Sequence, residues 1–489
     1  MENETNVLLD KAITLTQSQD YQQAYNIFQK LSNQLNDNYK AYWCYGICAY
    51  YLHQLVQAQQ LLEHALTLNN QEPQIWNQLG VVLSKQNNNI VKEFSCFKKA
   101  ARLAPNANGA YVNCAQTLIK AKKFKLAYKI LDAINKATPD LTDVIINFAY
   151  LNGILGRFDD AYGLYKNIIE KRPNDIKAKA NAAFNYLRKG EFDKGWEFHE
   201  LRFELPALTG FKKFFKQPKW QGESLNAKTL LILCEQGFGD VIQFVRYIPL
   251  INKGSGKIIL AAQKPLITLL KTLKNVDEII ELNNIDVKHD YHIPLLSLPK
   301  LFNANFDNIP ENIPYLKIDP QKQVHWKNFF EKYNNSLKVG INWFGNPRHK
   351  SDKLRSINPK YFHRLSQATN LQLFSLQFEN VAETCKKFNF IPLGQYFKDF
   401  SDTAACIACM DLIITVDTAL AHLSGAFNIP IWNLLYTNSD WRWFIERTDS
   451  PWYPSMHLFR QTKPSDWNDV FDQVTLALKT TIKGAGFNG

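Results

Sequence analysis

The chain is poor in the features that mark membranes, secretion and metal sites. No apolar run approaches the roughly 18–20 residues needed to span a bilayer. The start, Met1-Glu2-Asn3-Glu4, is acidic and polar where a secretory leader would be basic and then apolar. No membrane span is therefore expected, and the expected location is cytoplasmic. Cysteine is sparse, eight in 489 residues, and scattered at positions 44, 48, 96, 114, 234, 385, 406 and 409, which suits reduced, buried thiols. Cys406-Ile407-Ala408-Cys409 has half the spacing of a zinc site and no second ligand pair, so it reads as core. H-E-x-x-H, G-x-S-x-G and D-x-D are also missing, and no metal or other cofactor is expected. Positive charge is in excess, with 57 Lys and Arg against 45 Asp and Glu, but it is spread out and forms no polybasic arm. That pattern fits an anionic ligand and argues against nucleic acid as a partner.

What is present in quantity is aromatic. Phe, Tyr and Trp make up 13% of the chain, enough for stacking surfaces, although filling the cores of helical repeats accounts for most of them. The N-terminal 207 residues repeat with a period of about 34. Segments started at residues 5, 39, 73, 108, 142 and 176 align, with a small eighth residue: Ala12, Gly46, Gly80, Ala115, Ala149 and Ala183. The twentieth position reads Ala24, Ala58, Glu93, Ala127, Ala161 and Gly195, so only Glu93 breaks the rule. Two helices approach closely where small side chains meet, and Pro105, Pro139 and Pro173 end the second helix of three units. The pattern resembles the tetratricopeptide repeat. That resemblance implies an α-solenoid whose groove holds a protein or an extended peptide; a spacer or dimerisation element is the alternative.

After Leu205-Pro206 the helical period stops, and residues 208–227 read as a linker with aromatic anchors. Short apolar runs then alternate with helical stretches, as in βαβ units. Strands are expected at 229–234, 257–262, 278–282 and 291–293, and again at 338–343, 371–376, 390–393, 412–416, 429–434 and 457–459. A break at 320–337 suggests two Rossmann-like lobes, 228–335 and 336–489, with a closing helix over 465–480. A single mixed sheet is the alternative.

Three stretches carry candidate chemistry. Gln236-Gly237-Phe238-Gly239-Asp240 follows the first strand; its glycines permit a tight turn, and Asp240 is either a general base or a helix-capping aspartate. The turn is neither a G-x-G-x-x-G fingerprint nor a Walker A loop. The second stretch, Asn346 to Ser356, brings Arg348, Lys350, Lys353 and Arg355 together after a strand, where they would neutralise a departing diphosphate; an ordinary solvated basic loop is the alternative. The third is Asp417-Thr418-Ala419-Leu420-Ala421-His422, where a strand gives way to a helix. Thr418 and Ala419 would offer backbone N–H groups to phosphate, with His422 on the same helix face; simple capping by Asp417 is the alternative. The loops Asp440-Trp441-Arg442-Trp443 and Ser450-Pro451-Trp452-Tyr453-Pro454 either wall a nucleotide or sugar pocket or pack the sheet end.

The Gly239-Asp240 turn, the basic loop after Trp343 and Val416-Asp417-Thr418-Ala419-Leu420-Ala421-His422-Leu423 together resemble the family 9 glycosyltransferases, typified by the ADP-heptose:lipopolysaccharide heptosyltransferases. The layout is similar to bacterial proteins that join tetratricopeptide repeats to a GT-B transferase half, flagellin glycosyltransferases among them. The resemblance implies a GT-B fold over roughly residues 228–480 and transfer of a sugar from a nucleotide-sugar donor to an acceptor, a protein recruited by the repeats. It puts the catalytic aspartate at Asp240 with Gln236 to Gly239 on the acceptor side. The donor's phosphates would lie on Asn346, Arg348, Lys350, Arg355, Ser356, Asp417, Thr418, Ala419 and His422. Where the family has glycine after its Asp-Thr, this chain has Ala419. Two rivals stand beside that reading: an inactive interaction scaffold, and a transferase acting on a lipopolysaccharide or capsule glycan.

Overall fold

The computed structural model describes residues 2–484 apart from 284, 348, 350, 369 and 380. Two compact units make up the chain, residues 1–151 and 152–489. Six helix pairs run from Glu2 to His199: Glu2–Gln17 with Tyr21–Lys30, Tyr39–Tyr51 with Leu55–Leu68, Pro73–Gln86 with Ile90–Leu103, Asn108–Lys120 with Phe124–Ala137, Thr142–Ile154 with Phe158–Lys171, and Ile176–Arg188 with Phe192–His199. Five of the six expected segment starts, 39, 73, 108, 142 and 176, are the first residue of a helix.

Local chemistry sets these ends. The side chains of Asp20, Asn38, Asn89 and Asp175 accept N–H groups at helix starts, and Pro73 opens a helix where its missing N–H costs nothing. Ala12, Ala24 and Ala58 are fully buried at the pair contacts. Glu93, the exception to the small-residue rule, is buried as well, and its Oε1 accepts from Thr117 Oγ1 at 2.8 Å and Lys120 Nζ at 3.0 Å. A polar bridge between the third and fourth pairs thus replaces the small-residue contact.

Beyond the repeats, the described residues form ten strands where ten are expected, in two sheets. β1 (Thr229–Leu233), β2 (Lys257–Ala262), β3 (Glu278–Glu281) and β4 (Tyr291–Pro294) make one sheet in the order β3-β2-β1-β4. β5 (Leu337–Asn342), β6 (Leu371–Ser375), β7 (Ile391–Pro392), β8 (Leu412–Val416), β9 (Ile431–Leu435) and β10 (Met456–Arg460) make the other, in the order β10-β9-β8-β5-β6-β7. Their pairings are parallel, so the alternative of one mixed sheet does not hold. The central strands are buried on both faces, as continuous apolar runs such as Leu412-Ile413-Ile414-Thr415-Val416 require. The break between the lobes contains the helix Pro320–Phe330, capped by Asp319, and the helix Asn468–Gly484 closes the chain against the second sheet through Val470, Phe471, Val474 and Leu478. Phe211, Phe214 and Phe215 pack on the outer face of the first sheet, over Leu231, Leu233, Ile259 and Ala261. The eight cysteines are free thiols. Among the described residues, no helix is long and apolar enough to cross a membrane, and no cluster of three or more His, Cys, Asp or Glu is placed to hold a metal ion.

Candidate functional site

Open parallel sheets bind ligands beyond the carboxyl ends of their strands, at the point where strand order reverses. The first sheet reverses between β1 and β4, the second between β8 and β5. The three candidate stretches follow β1, β5 and β8, so all of them emerge at these points.

In the first lobe, Gln263 Nε2 donates to Cys234 O and Gln236 O, each at 3.1 Å, and Gln236 takes a left-handed φ of 69°. The helix Phe238–Phe244 starts at once. Asp240 is its third residue, and Asp240 Oδ2 accepts the Gly237 N–H at 2.9 Å. Phe238 is partly exposed and lies edge-on to Phe400 at 5.2 Å. Gly239 touches the second lobe directly: a Cβ there would lie 2.6 Å from His422 Cδ2 and 3.4 Å from Ala419 Cα. The Gly-Asp turn and the start of the helix Ala419–Ala426 are therefore one site.

In the second lobe, Asn342 at the end of β5 donates to Thr415 Oγ1 at 3.2 Å and to Thr418 Oγ1 at 3.1 Å, tying the two switch-point strands together. Thr418, not Asp417, occupies the cap position, and its hydroxyl makes no capping bond, so capping by Asp417 does not hold. The first-turn N–H groups of that helix point out of its start. Arg355 Nη1 donates to Asp417 O at 2.7 Å and Nε to Asp352 Oδ1 at 3.2 Å. Arg355 Nη2 and the Thr418 methyl both close on Gly345, where a Cβ would stand 2.5 Å and 3.0 Å from them. Buried Asp352 organises the loop: it also accepts from Gly345 N at 3.3 Å and from the Ser356 hydroxyl at 3.0 Å. Asn346 and Lys353 are exposed. Arg348 and Lys350 lie outside the described residues.

The hub of the site lies in the Asp440–Trp443 loop, which the sequence offered for its aromatics and not for its arginine. Arg442, 5% exposed, pairs Nη2 with Asp240 Oδ1 across the lobes, Nη1 with Asp440 Oδ1 at 2.7 Å and Nε with Gln243 Oε1. Its loop ends at Phe444, whose φ of 55° and ψ of −157° are costly outside glycine. The Phe444 side chain is buried and its ring lies 5.0 Å from that of Phe306. Trp441, Trp443, Trp452 and Tyr453 are fully buried, so these loops pack the sheet end and do not wall a pocket. His422 is buried too. Its Nδ1 meets Tyr453 OH at 3.0 Å, and burial beside Arg442 and Arg246 keeps the ring neutral.

Burial pushes the Asp240 carboxyl above its ordinary value; Asp440 adds to this, and Arg442 opposes it. Asp417 is pushed up to about 6 by burial and by Asp440, against Arg355 and Arg442. Asp417 is 9% exposed. Arg442 is held more firmly protonated than usual by Asp440 and Asp240, although burial alone would act the other way.

At the carboxyl ends of β6 and β7, Gln377, Glu379, Val381, Pro392 and Gln395 line a cleft of about 260 Å³. Gln377 Nε2 donates to Phe344 O at 3.1 Å and Glu379 Oε2 at 2.7 Å, coupling this cleft to the basic loop. Nothing in the local sequence marks Gln377, Glu379 or Asp352; Arg442, flanked by two tryptophans and preceded by an aspartate, left a weak signal.

No protein-family model matches the chain. The chain is similar to Protein FlbA of Caulobacter vibrioides, with 25% identity over 453 residues that cover 86% of this chain and 70% of FlbA. Among solved structures it is similar to a family 9 glycosyl transferase from Veillonella parvula, with 13% identity, 54% of this chain and 100% of that one covered, and a TM-score of 0.43. It is also similar to YrrB, a TPR protein with an unusual peptide-binding site, at 19% identity over 38% of this chain and 98% of that one, with a TM-score of 0.28. The chain joins a tetratricopeptide-type helical array to an α/β half of two Rossmann-like lobes.

Proposed function

We propose that the α/β half is a glycosyltransferase that moves a sugar from a nucleotide-sugar donor to a protein acceptor without a metal ion. The observation that carries this reading is the contact between the Gly239-Asp240 turn of one lobe and the start of the Ala419–Ala426 helix of the other, at the switch points of two parallel sheets. Asp240 takes the proton from the acceptor hydroxyl or amide as that group attacks the anomeric carbon. The bond from the sugar to phosphate breaks, and the nucleoside phosphate leaves against Arg355, the first N–H groups of the helix and the cations of the 348–353 loop. The cleft by Gln377 and Glu379 takes the nucleoside. The helical array presents the acceptor, as stacked repeats offer a continuous face to an extended chain. Free, mostly buried thiols support a cytoplasmic setting.

Asp240 is accessible enough for this role, with 21% of its side chain exposed, and a carboxylate with two bonds keeps spare lone pairs. The same engagement by Gly237 and Arg442 favours a second reading, an inactive scaffold in which Asp240 only joins the lobes. Nucleotide release from a panel of UDP-, GDP-, ADP- and CMP-sugars, with and without protein acceptors, separates the two. The transferase reading expects release by the wild type and a loss of about 10²- to 10⁴-fold in kcat for Asp240→Asn, with donor-induced thermal stabilisation retained. No release from any donor supports the scaffold.

A further inference from the structure

The last helix pair is built into the α/β body. Leu187, Phe192 and Trp196 belong to the apolar core that also holds Val241, Phe244, Trp441 and Trp452. Trp196 donates its Nε1–H to Ala304 O of the first lobe at 2.7 Å and stands edge-on to Trp441 of the second at 5.2 Å. Just beyond that pair, Arg202 reaches the base of the Asp240 turn. Its Nη2 donates to Glu235 Oε1 at 2.6 Å and to Ser297 Oγ at 3.0 Å; its Nη1 donates to Glu200 Oε1 and His199 O, both at 3.0 Å. Glu200 is in turn held by Lys219 and by the Ser297 hydroxyl.

Glu235 is 0% exposed and directly precedes Gln236; its Oε1 also accepts the Leu296 N–H at 3.3 Å. The network is a poor stabiliser. Two charges have left water, and Arg202 Nε and Glu235 Oε2 are buried with no hydrogen-bond partner. An apolar pair would fill the space at least as well. What charges supply and methyl groups do not is direction: the guanidinium fixes the carboxylate, and with it the backbone one residue ahead of the left-handed Gln236.

We propose that Arg202 is a positioning residue: through Glu235 it sets the Gln236–Asp240 turn, so the last helical repeat is part of the transferase site. The inference rests on the glycosyltransferase reading, and its test separates the two. In the full chain, Arg202→Met combined with Glu235→Leu removes both charges and keeps the volume. The expected result is a folded protein whose kcat for nucleotide release drops at least tenfold, while the donor KM stays within about twofold, because the donor groups follow β5 and β8. Amide hydrogen exchange at residues 236–241 should also quicken. Should the double variant fail to fold, Arg202→Lys retains the charge without the fork and carries the same expectations. A wild-type kcat in the folded variant overturns the proposal. If the wild-type chain itself releases no nucleotide from any donor, the transferase reading fails, and unchanged exchange at 236–241 then overturns the positioning on its own.

Discussion

In residues 1–151 a helix meets its partner within one repeat or the next: Gly80 lies against Phe97, and Glu93 bonds Thr117 and Lys120. In residues 152–489 the contacts that shape the site join distant residues. Asp240 and Arg442 are 202 positions apart, and Arg355 and Asp417 are 62 apart. The array spends many copies of one short-range rule, so any single contact matters mainly to its own neighbourhood. The α/β body depends on a few contacts made once, and one of them, at Arg442, gathers carboxylates from both lobes.

The largest effect is expected from Arg442→Met. It leaves Asp240 and Asp440 without their common cation, at a cost of about 3–5 kcal/mol at neutral pH by urea unfolding. That cost should shrink as pH falls and Asp240, whose carboxyl burial pushes above its ordinary value, takes up a proton; a pH-independent loss would refute a charge-based hub.

Next comes the wild type's own pH dependence. The folded Asp417 holds its proton to about pH 6, above the 3.8 of an ordinary aspartate. Between these values the folded state binds more protons than the unfolded one. The contribution of Asp417 to stability therefore falls as pH rises from about 4 to 6, by roughly 3 kcal/mol. Asp417→Asn should flatten this slope in urea titrations run across that window.

Two changes in the array should be smaller and should leave the site alone. A methyl at Gly80 would stand 2.5 Å from the Phe97 ring. Overpacking of about 1–3 kcal/mol then outweighs the roughly 1 kcal/mol gained in helix propensity. Gly80→Ala should lower the midpoint of array unfolding and leave kcat on a small acceptor unchanged. Glu93→Gln keeps an acceptor for Thr117 and loses only the charge opposite half-exposed Lys120, for about 1 kcal/mol or less. A drop in kcat from either variant would break the division between local and site-forming contacts.

Legibility followed the same division. The six small residues at the eighth position recur and announce the repeats, and apolar runs such as 412–416 announce strands by length alone. Asp240, Thr418 and Arg355 were visible because each follows a strand, where glycine, aspartate or basic residues are conspicuous. Capping by Asp417 does not hold because the helix starts one residue later, with Thr418 at the cap position, and the Thr418 hydroxyl accepts from Asn342, 76 residues before it. Asp352 and Gln377 were not marked, and Arg442 only as part of an aromatic loop, because their partners, not their neighbours, define them. The tryptophans beside Arg442 fit either a pocket wall or a packed sheet end by sequence, and their burial decides for packing.

By itself the sequence determined the helical period, the ten strands and the loops that carry polar residues at strand ends, since these depend on hydrophobic spacing and on chemistry within a few residues. Only the tertiary structure decided the two strand orders, the meeting of Gly239 with His422, and the pairing of Arg442 with Asp240 and Asp440. Those depend on which distant backbone a strand pairs with, and a choice made once in a chain leaves no period to read.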